Sequence, residues 1–235
     1  MSKTLAEGLR AAGAVEDYGL RFLDRQERPT HHPWSEVFSE SERTGRALLT
    51  LGLVPGEKVA LVYPTGFDFF RAFFGCQLAG LVPVPLYPPL RLGRLAEYHV
   101  RTAQMLRQAG VSLVLTDKRV KRILGESIHL ASPRWGCRLL GDLPHPEGTL
   151  PPSDPGEIGL IQFSSGTTRD PKPVALSQSA LIYQGRTIAD AILSQWPESE
   201  TFRHSGVSWL PLYHDMGLIG CVIPALLQQR DLTLL

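Results

Sequence analysis

The sequence is short of cysteine, of excess charge of either sign and of long hydrophobic runs. Its three cysteines stand far apart in 235 residues, and this odd number favours reduced thiols over a disulfide framework and offers no zinc-binding spacing. Lysine and arginine number 24 against 23 aspartates and glutamates, so no broad basic surface for a nucleic-acid backbone is expected. These scarcities argue against a disulfide-stabilised fold and against nucleic acid as a partner.

Membrane and secretion signals are also missing from the sequence. Charges and prolines interrupt every apolar stretch well short of the ~20 residues that a transmembrane helix needs. The first ten residues carry Lys3, Glu7 and Arg10 and no apolar run, so no secretory signal peptide is predicted. We therefore expect a cytoplasmic protein without a membrane span. An apolar content of 43% indicates a globular chain with a buried core.

Glycine and proline separate segments that alternate between strand-like and helical patterns. Strands are predicted over residues 58–63, 81–86, 111–116, 158–163, 206–210 and from 232; helices are predicted over residues 35–51, 67–79, 92–109, 177–194 and 215–229. The proline-rich residues 143–155 predict a surface loop. The alternation predicts an α/β fold, a layered and parallel-rich sheet with helices on both faces. Such folds bind ligands beyond the carboxyl ends of their strands.

Five phenylalanines crowd the predicted helix over residues 67–79. A lipid-binding surface is one interpretation of this cluster, and core packing is the other. Because the helix belongs to an α/β pattern, we interpret the cluster as core. The five are Phe67, Phe69, Phe70, Phe73 and Phe74.

A loop rich in hydroxyl side chains follows the predicted strand 158–163. The candidate anion-binding residues are Ser164, Ser165, Gly166, Thr167, Thr168, Arg169 and Lys172. Backbone N–H groups and short hydroxyls can surround phosphate oxygens, Gly166 permits close approach, and Lys172 supplies a mobile positive charge. A solvated turn is the alternative, but the position beyond a buried strand favours binding of ATP phosphates.

Other common catalytic patterns do not occur in this chain. It has no Gly-Lys pair for a P-loop, no Gly-x-Gly dinucleotide motif and no Gly-x-Ser-x-Gly nucleophile elbow. Its histidines form no His-x-x-x-His pair, so a protein-held metal site is not predicted. The hydroxyl-rich loop therefore requires a different class of nucleotide-binding fold.

Residues 161–177, IQFSSGTTRDPKPVALS, resemble the phosphate loop of the adenylate-forming superfamily, which includes acyl-CoA synthetases, luciferases and the adenylation domains of peptide synthetases. Residues 208–220, SWLPLYHDMGLIG, resemble the aromatic and histidine motif that follows in this superfamily. Together with residues 79–89, AGLVPVPLYPP, they are similar to fatty-acyl-AMP ligases, which pass activated fatty acids to carrier proteins rather than to coenzyme A. The resemblance covers roughly residues 34–235.

Three positions depart from the usual superfamily loop. Glycine commonly stands at the positions of Arg169 and Pro173, and histidine at that of Gln178. Arg169 adds a cation that can face phosphate, whereas Pro173 removes an N–H donor and fixes φ close to the phosphates. We therefore expect Pro173 to alter the loop's geometry.

The resemblance implies a reaction in which a fatty acid carboxylate attacks the α-phosphate of ATP, pyrophosphate leaves and a thiol takes the acyl group. It implies that His214 lies near the carboxylate and α-phosphate, where an N–H donor can stabilise developing charge. Tyr213, Asp215, Met216 and Gly217 would lie near the acyl substrate, with the last two shaping its entrance. Asp215 is equally a candidate N-cap for the following helix.

The resemblance also implies a cofactor, a partner protein and a further domain. Mg²⁺ is expected with ATP, its ligands largely outside these residues, and an acyl carrier protein is expected as a partner. Residues 1–235 are interpreted as the N-terminal portion of an AMP-binding domain, inactive without the lysine-bearing C-terminal domain. An acyl-CoA synthetase or an amino-acid adenylation domain is the alternative enzyme, and a noncatalytic fragment that binds nucleotide or a partner is the other alternative.

Overall fold

The computed structural model describes residues 2–24, 26–89, 94–164, 171–199 and 201–235. The helices are α1 (Leu5–Ala12), α2 (Trp34–Thr50), α3 (Phe67–Leu78), α4 (Leu95–Gln108), α5 (Lys118–Ala131), α6 (Gln178–Gln195) and α7 (Ile223–Gln228). The strands are β1 (Gly19–Leu23), β2 (Pro29–Pro33), β3 (Lys58–Val62), β4 (Val82–Pro85), β5 (Val111–Thr116), β6 (Cys137–Arg138), β7 (Ile158–Phe163), β8 (Pro173–Ser177), β9 (Gly206–Ser208) and β10 (Leu232–Leu234). A 3₁₀ turn covers Leu140–Asp142, and a π-helix covers Met216–Val222.

The strands form three sheets. One is mixed, in the order β2-β1-β10-β9, with only the β1–β2 pair antiparallel. A second, here called the parallel sheet, has the order β4-β3-β5-β6. The third is the antiparallel hairpin of β7 and β8. The predicted parallel-rich α/β class is confirmed, and the division into three sheets is a feature that the sequence did not predict.

Both faces of the parallel sheet are apolar and covered. Side chains alternate along β3, so Val59 and Leu61 enter the hydrophobic cluster that contains the phenylalanines of α3. Ala60 and Val62 enter a second cluster with side chains from α4 and α5. This arrangement follows from right-handed crossovers between parallel strands, which place α3 on one face and α4 and α5 on the other.

The phenylalanines of α3 form the centre of the first cluster. Phe70, Phe73 and Phe74 are fully buried, Phe69 is nearly so, and Phe67 is partly buried against them. Phe73 and Phe74 meet edge to face with ring centroids 5.1 Å apart. The interpretation as core is therefore confirmed.

Several elements lie where the sequence pattern gave no prediction: α1, β1, β2, α5, β6 and β8. The polar strand β2 contains two prolines and has one paired edge, and its conformation depends on β1, which itself pairs with β10 two hundred residues away. Long-range pairing of this kind leaves no local signal. Within the described ranges, no helix is long and apolar enough to cross a membrane.

The predicted helix over residues 215–229 is only partly α-helical. Its first half is the π-helix Met216–Val222, and α7 then begins at Ile223. Pro224 has no N–H group for an α-helical bond to Gly220, so the regular ladder is broken at the junction of the two segments. The predicted strand 206–210 ends at Ser208.

A buried chain of amides holds the base of the β7–β8 hairpin. Gln77 Nε2 on α3 donates to the carbonyl oxygen of Gly159 at 2.6 Å, and Gln178 Nε2 donates to Gln77 Oε1 at 2.6 Å. The backbone N–H of Leu5 donates to Gln178 Oε1 at 3.0 Å. Gln178 thus ties the hairpin to α3 and α1.

We expect Gln178→Leu to lower the free energy of unfolding by about 1–3 kcal/mol, because it leaves the Leu5 N–H and the Gln77 oxygen buried without partners. Gln184→Leu on the exposed side of α6 is the matched control and should change stability by less than about 0.5 kcal/mol. Since Gln77 and Gln178 are direct partners, the double replacement with leucine should cost less than the sum of the single ones. Additive costs in chemical denaturation would contradict the amide chain.

Candidate functional site

The candidate phosphate loop is the tip of the β7–β8 hairpin. The Ser164 N–H donates to the Lys172 carbonyl oxygen at 3.0 Å, and the Lys172 N–H lies 3.4 Å from Ser164 Oγ. These contacts close the loop at its two ends. The Lys172 side chain is exposed and forms no ion pair with another described residue. Ser165, Gly166, Thr167, Thr168 and Arg169 lie outside the described residues.

Pro173 is the first residue of β8 and stands opposite Phe163 in the hairpin. The first position of a strand is one of the places where a sheet accommodates proline. Its fixed φ therefore acts at the junction of the loop and β8, where it ends the loop and begins the regular ladder.

The second motif forms a turn that leads into the π-helix. The His214 N–H donates to the Pro211 carbonyl oxygen at 3.1 Å, and the Leu218 N–H donates to the His214 carbonyl oxygen at 3.0 Å. Asp215 caps the helix by accepting a hydrogen bond from the Met216 N–H at 2.8 Å. The expected capping role of Asp215 is present in the structure.

The side chains of His214 and Asp215 touch each other. His214 Nδ1 lies 2.5 Å from Asp215 Oδ1, and His214 is 47% exposed. The Met216 backbone nitrogen also lies 3.3 Å from His214 Nδ1, within hydrogen-bond distance of the same ring atom. These two contacts orient the imidazole through its Nδ1 edge.

Gly217 is required by close packing at the start of the π-helix. A Cβ atom at this position would lie 2.3 Å from the Pro211 carbonyl oxygen, a distance that no side chain permits. Gly217 is buried, whereas the neighbouring Met216 side chain is 58% exposed. Of the two residues expected at the acyl entrance, Met216 offers a side chain and Gly217 offers backbone.

Aromatic contacts bring the segments that carried the family resemblance together. The Tyr213 ring meets Tyr87, just beyond β4, edge to face with centroids 6.2 Å apart. Tyr98 on α4 donates a hydrogen bond from its hydroxyl to the Tyr87 carbonyl oxygen at 3.2 Å. Tyr87 and Phe163, the residue before the phosphate loop, both pack against the second hydrophobic cluster. Burial raises the pKa of Tyr87 and of Tyr213, so both phenols remain protonated at neutral pH.

An apolar cavity of about 220 Å³ lies between α6, the π-helix, α7, β9 and β10. Its lining includes small and aliphatic residues from each of these elements: Ala189, Ile192, Val207, Gly220, Cys221, Ala225 and Leu232. Sequence reasoning missed the cavity because its residues come from several segments spread over more than forty positions. The small residues spaced along α6 and the π-helix are the signal that could have indicated it.

One side of the cavity is formed by a paired charge. Arg230 Nε donates to Glu198 Oε1 at 2.8 Å, and the His204 N–H donates to the same oxygen at 2.9 Å. The Arg230 hydrogen bond lowers the pKa of Glu198 to about 2. Glu198 is therefore ionised and already fully engaged, and it holds the segment between α6 and β9 against Arg230.

Cys76 and Cys137 lack the lowered thiol pKa of a nucleophile or metal ligand. Burial raises the pKa of the Cys76 thiol, and it raises that of Cys137 to about 11. The described ranges contain no group of three or more histidine, cysteine, aspartate or glutamate side chains that could hold a metal ion. The chemistry available in this part of the chain is therefore that of His214, Lys172 and backbone groups.

This combination of a parallel-rich α/β fold, a hydroxyl-rich loop and an aromatic-histidine turn is that of an adenylate-forming enzyme. The family model described as "AMP-binding enzyme" matches residues 11–234, and the chain belongs to this family.

Individual proteins are similar to this chain over most of its length. A Caulobacter vibrioides protein named as an acyl-CoA synthetase is 35% identical over 99% of the chain, and the long-chain-fatty-acid–AMP ligase FadD26 of Mycobacterium marinum is 31% identical over 79% of it. A solved structure from a study of fatty acyl-adenylate ligases from E. coli and L. pneumophila is 27% identical over 98% of the chain, with a TM-score of 0.83. The chain spans 40%, 32% and 41% of these proteins, respectively.

We expect His214→Ala to slow adenylate formation by the full-length polypeptide by at least about tenfold, because a positioned donor at developing charge is lost. The half-exposed side chain packs little, so the free energy of unfolding should change by less than about 1 kcal/mol. His129→Ala on the exposed side of α5 is the control and should leave the rate unchanged. A large fall in melting temperature with a normal rate per folded molecule would contradict the assignment.

Proposed function

We propose that this chain forms the N-terminal part of an enzyme that activates a fatty acid with ATP to an acyl-adenylate and passes the acyl group to a carrier-protein thiol. The observation that carries this proposal is the apolar cavity beside the helix that follows His214. The cavity would hold an aliphatic tail, and the contacts through Tyr213 and Tyr87 connect the same helix to the packing around the phosphate hairpin. Relatives named as fatty-acid–AMP ligases support this substrate class.

Different elements would bind the pyrophosphate and the fatty acid carboxylate. The Lys172 ammonium, exposed and unpaired within the described ranges, would bind the departing pyrophosphate, together with the hydroxyl-rich loop. His214, oriented by Asp215, would lie beside the carboxylate and α-phosphate. Mg²⁺ supplied with ATP neutralises phosphate charge in such reactions, and we assign none of the described residues to it.

The charges around the cavity favour a fatty acid over an amino acid. An amino acid substrate needs a carboxylate for its ammonium group, but Glu198 is engaged by Arg230. Asp231, the other carboxylate at the cavity, binds Arg21 at 2.8 Å and the Gly19 N–H at 2.9 Å. Neither carboxylate is free to recognise a second cation.

An acyl-CoA synthetase is the second candidate, and the name of the 35% identical relative favours it. Both enzymes share the adenylation step, so transfer to coenzyme A has to be compared directly with transfer to a carrier protein. Because the chain spans less than half of its relatives, we propose that the remaining catalytic groups lie outside it. Residues 1–235 alone should then form no acyl-adenylate, and a noncatalytic fragment would form none either. ATP–pyrophosphate exchange by the full-length polypeptide separates an incomplete enzyme from a noncatalytic protein.

For the phosphate side, Lys172→Ala in the full-length polypeptide should weaken the use of ATP or pyrophosphate by about 1.5–3 kcal/mol, the scale of a lost charge-assisted hydrogen bond. ATP–pyrophosphate exchange across a range of ATP concentrations measures this effect. Lys58→Ala, at the opposite end of the parallel sheet from the candidate site, is the control and should leave exchange unchanged. Unaltered ATP kinetics in Lys172→Ala would contradict the assignment of the loop.

For the acyl side, Gly220→Leu should fill part of the cavity and shift the preferred fatty acid to a shorter chain. A Cβ atom at Gly220 meets only the Met216 thioether at 3.7–3.9 Å, so the fold can accept the first carbon of the new side chain. Gly125→Leu on the exposed side of α5 is the matched control, since a Cβ there has open space. Equal chain-length profiles for Gly220→Leu and the parent would place the acyl chain elsewhere.

A further inference from the structure

The near-zero net charge of the chain conceals an uneven distribution. Between residues 94 and 138, nine lysines and arginines accompany three acidic residues, whereas the rest of the chain has fifteen basic and twenty acidic residues. This stretch comprises α4, β5, α5 and β6, and its two helices cover one face of the parallel sheet. A strongly basic surface therefore lies on a chain that is otherwise acidic.

Five of the exposed basic residues in this stretch lie towards one edge of the parallel sheet. We call them the basic rim: Arg94, Arg101, Lys118, Arg119 and Arg122. The exposed Arg107, in the last turn of α4, and Arg134, which contacts Glu57, lie outside the rim. Helix α5 begins directly after β5, and the first turns of α4 pack on Tyr87 just beyond β4. Because these strands are parallel, both helices begin at the carboxyl edge of the sheet. This is the edge to which Tyr87 brings Tyr213 of the candidate site.

The rim residues are largely free of ion pairs. Among the described residues, Arg101, Lys118, Arg119 and Arg122 have no acidic partner, and Arg94 lies 3.9 Å from Glu97 with 78% of its side chain exposed. Burial raises the pKa of Tyr87, and the charge of Arg101 opposes this effect. Arg101 is thus close enough to the candidate site for its field to act there.

The positive charges at the start of α5 lower the stability of that helix. The first turn of α5 contains no acidic residue, and its cations add to the positive end of the helix dipole. Only Asp117, which caps the helix through the Val120 N–H at 2.7 Å, offsets them. An arrangement that costs helix stability yet projects positive potential from the sheet edge is suited to an anionic partner.

We propose that the basic rim docks the acidic surface of the carrier protein that receives the acyl group. This inference rests on the proposed function, because it identifies the partner of that same site. Charge complementarity speeds encounter and fixes orientation, and the rim would align the carrier beside Tyr87 and Tyr213, where its thiol must arrive. A lipid surface fits less well, since membrane-binding faces need several large apolar side chains, whereas the large hydrophobic residues exposed on α4 and α5 are Val100 and Leu130.

The test measures binding of a purified phosphopantetheine-loaded acyl carrier protein to this chain by fluorescence anisotropy at two salt concentrations. The rim variant is Lys118→Glu/Arg119→Glu/Arg122→Glu, which folds readily because acidic side chains favour a helix N-terminus. The control variant Lys3→Glu/Arg10→Glu/Arg43→Glu makes the same charge change at exposed positions in α1, α2 and the segment before α1, where these side chains form no ion pair with another described residue. We expect the rim variant to bind at least about tenfold more weakly and to lose most of its salt dependence, and the control to stay within about twofold of the parent.

Several results would overturn the proposal: no carrier binding by the parent, equal losses in both variants, or an unaffected rim variant. Loss of binding to coenzyme A or to phosphatidylglycerol vesicles, with carrier binding unchanged, would assign the rim to that other ligand. Fatty-acid-dependent ATP–pyrophosphate exchange by the full-length polypeptide is measured separately. Carrier binding without exchange would overturn the proposed adenylation and leave the assignment of the rim intact. Exchange without carrier binding would overturn the assignment of the rim and leave the adenylation step intact.

Discussion

The parallel sheet has to be covered on both faces, and the rest of the structure depends on this constraint. Its strands are apolar on both sides, so the chain must place α3 on one face and α4 and α5 on the other. Each crossover then leaves a strand at the same carboxyl edge. Tyr87 and the first turns of α4 and α5 meet there, and the Tyr213 contact adds the turn that bears His214. The candidate site therefore lies at the edge of the sheet where the strands end and the helices begin.

Local patterns in the sequence were sufficient to predict the elements whose burial shows in their own residues. The helix of phenylalanines and the buried strands β5 and β7 were all predicted, because burial leaves periodic signals in the sequence. The elements β1, β2 and β8 were not predicted, since their pairing depends on partners distant in sequence or across a loop. The Gln77–Gln178 bond and the cavity beside α7 arise only from tertiary contacts.

The candidate site combines motif residues with supporting groups that no motif indicates. Asp215 both caps the π-helix and contacts His214, so one carboxylate sets the start of the helix and the orientation of the ring. Gln178 anchors the base of the hairpin through its hydrogen bond to Gln77. The candidate phosphate loop is thus held at the base of its hairpin, while the Lys172 side chain at its end is exposed. Charge stabilisation needs groups that are held in position in this way.

The central claim is that one ligand spans the His214 turn and the cavity between α6 and α7. Photocrosslinking with a nonhydrolysable acyl-adenylate analogue that carries a diazirine at the end of its acyl chain tests this directly, with labelled peptides mapped by mass spectrometry. The account predicts labels on cavity-lining residues such as Ile192, Cys221 and Ala225, and their loss when excess unlabelled analogue is added. Competable labelling confined to other surfaces, such as the loop around His145, would contradict it.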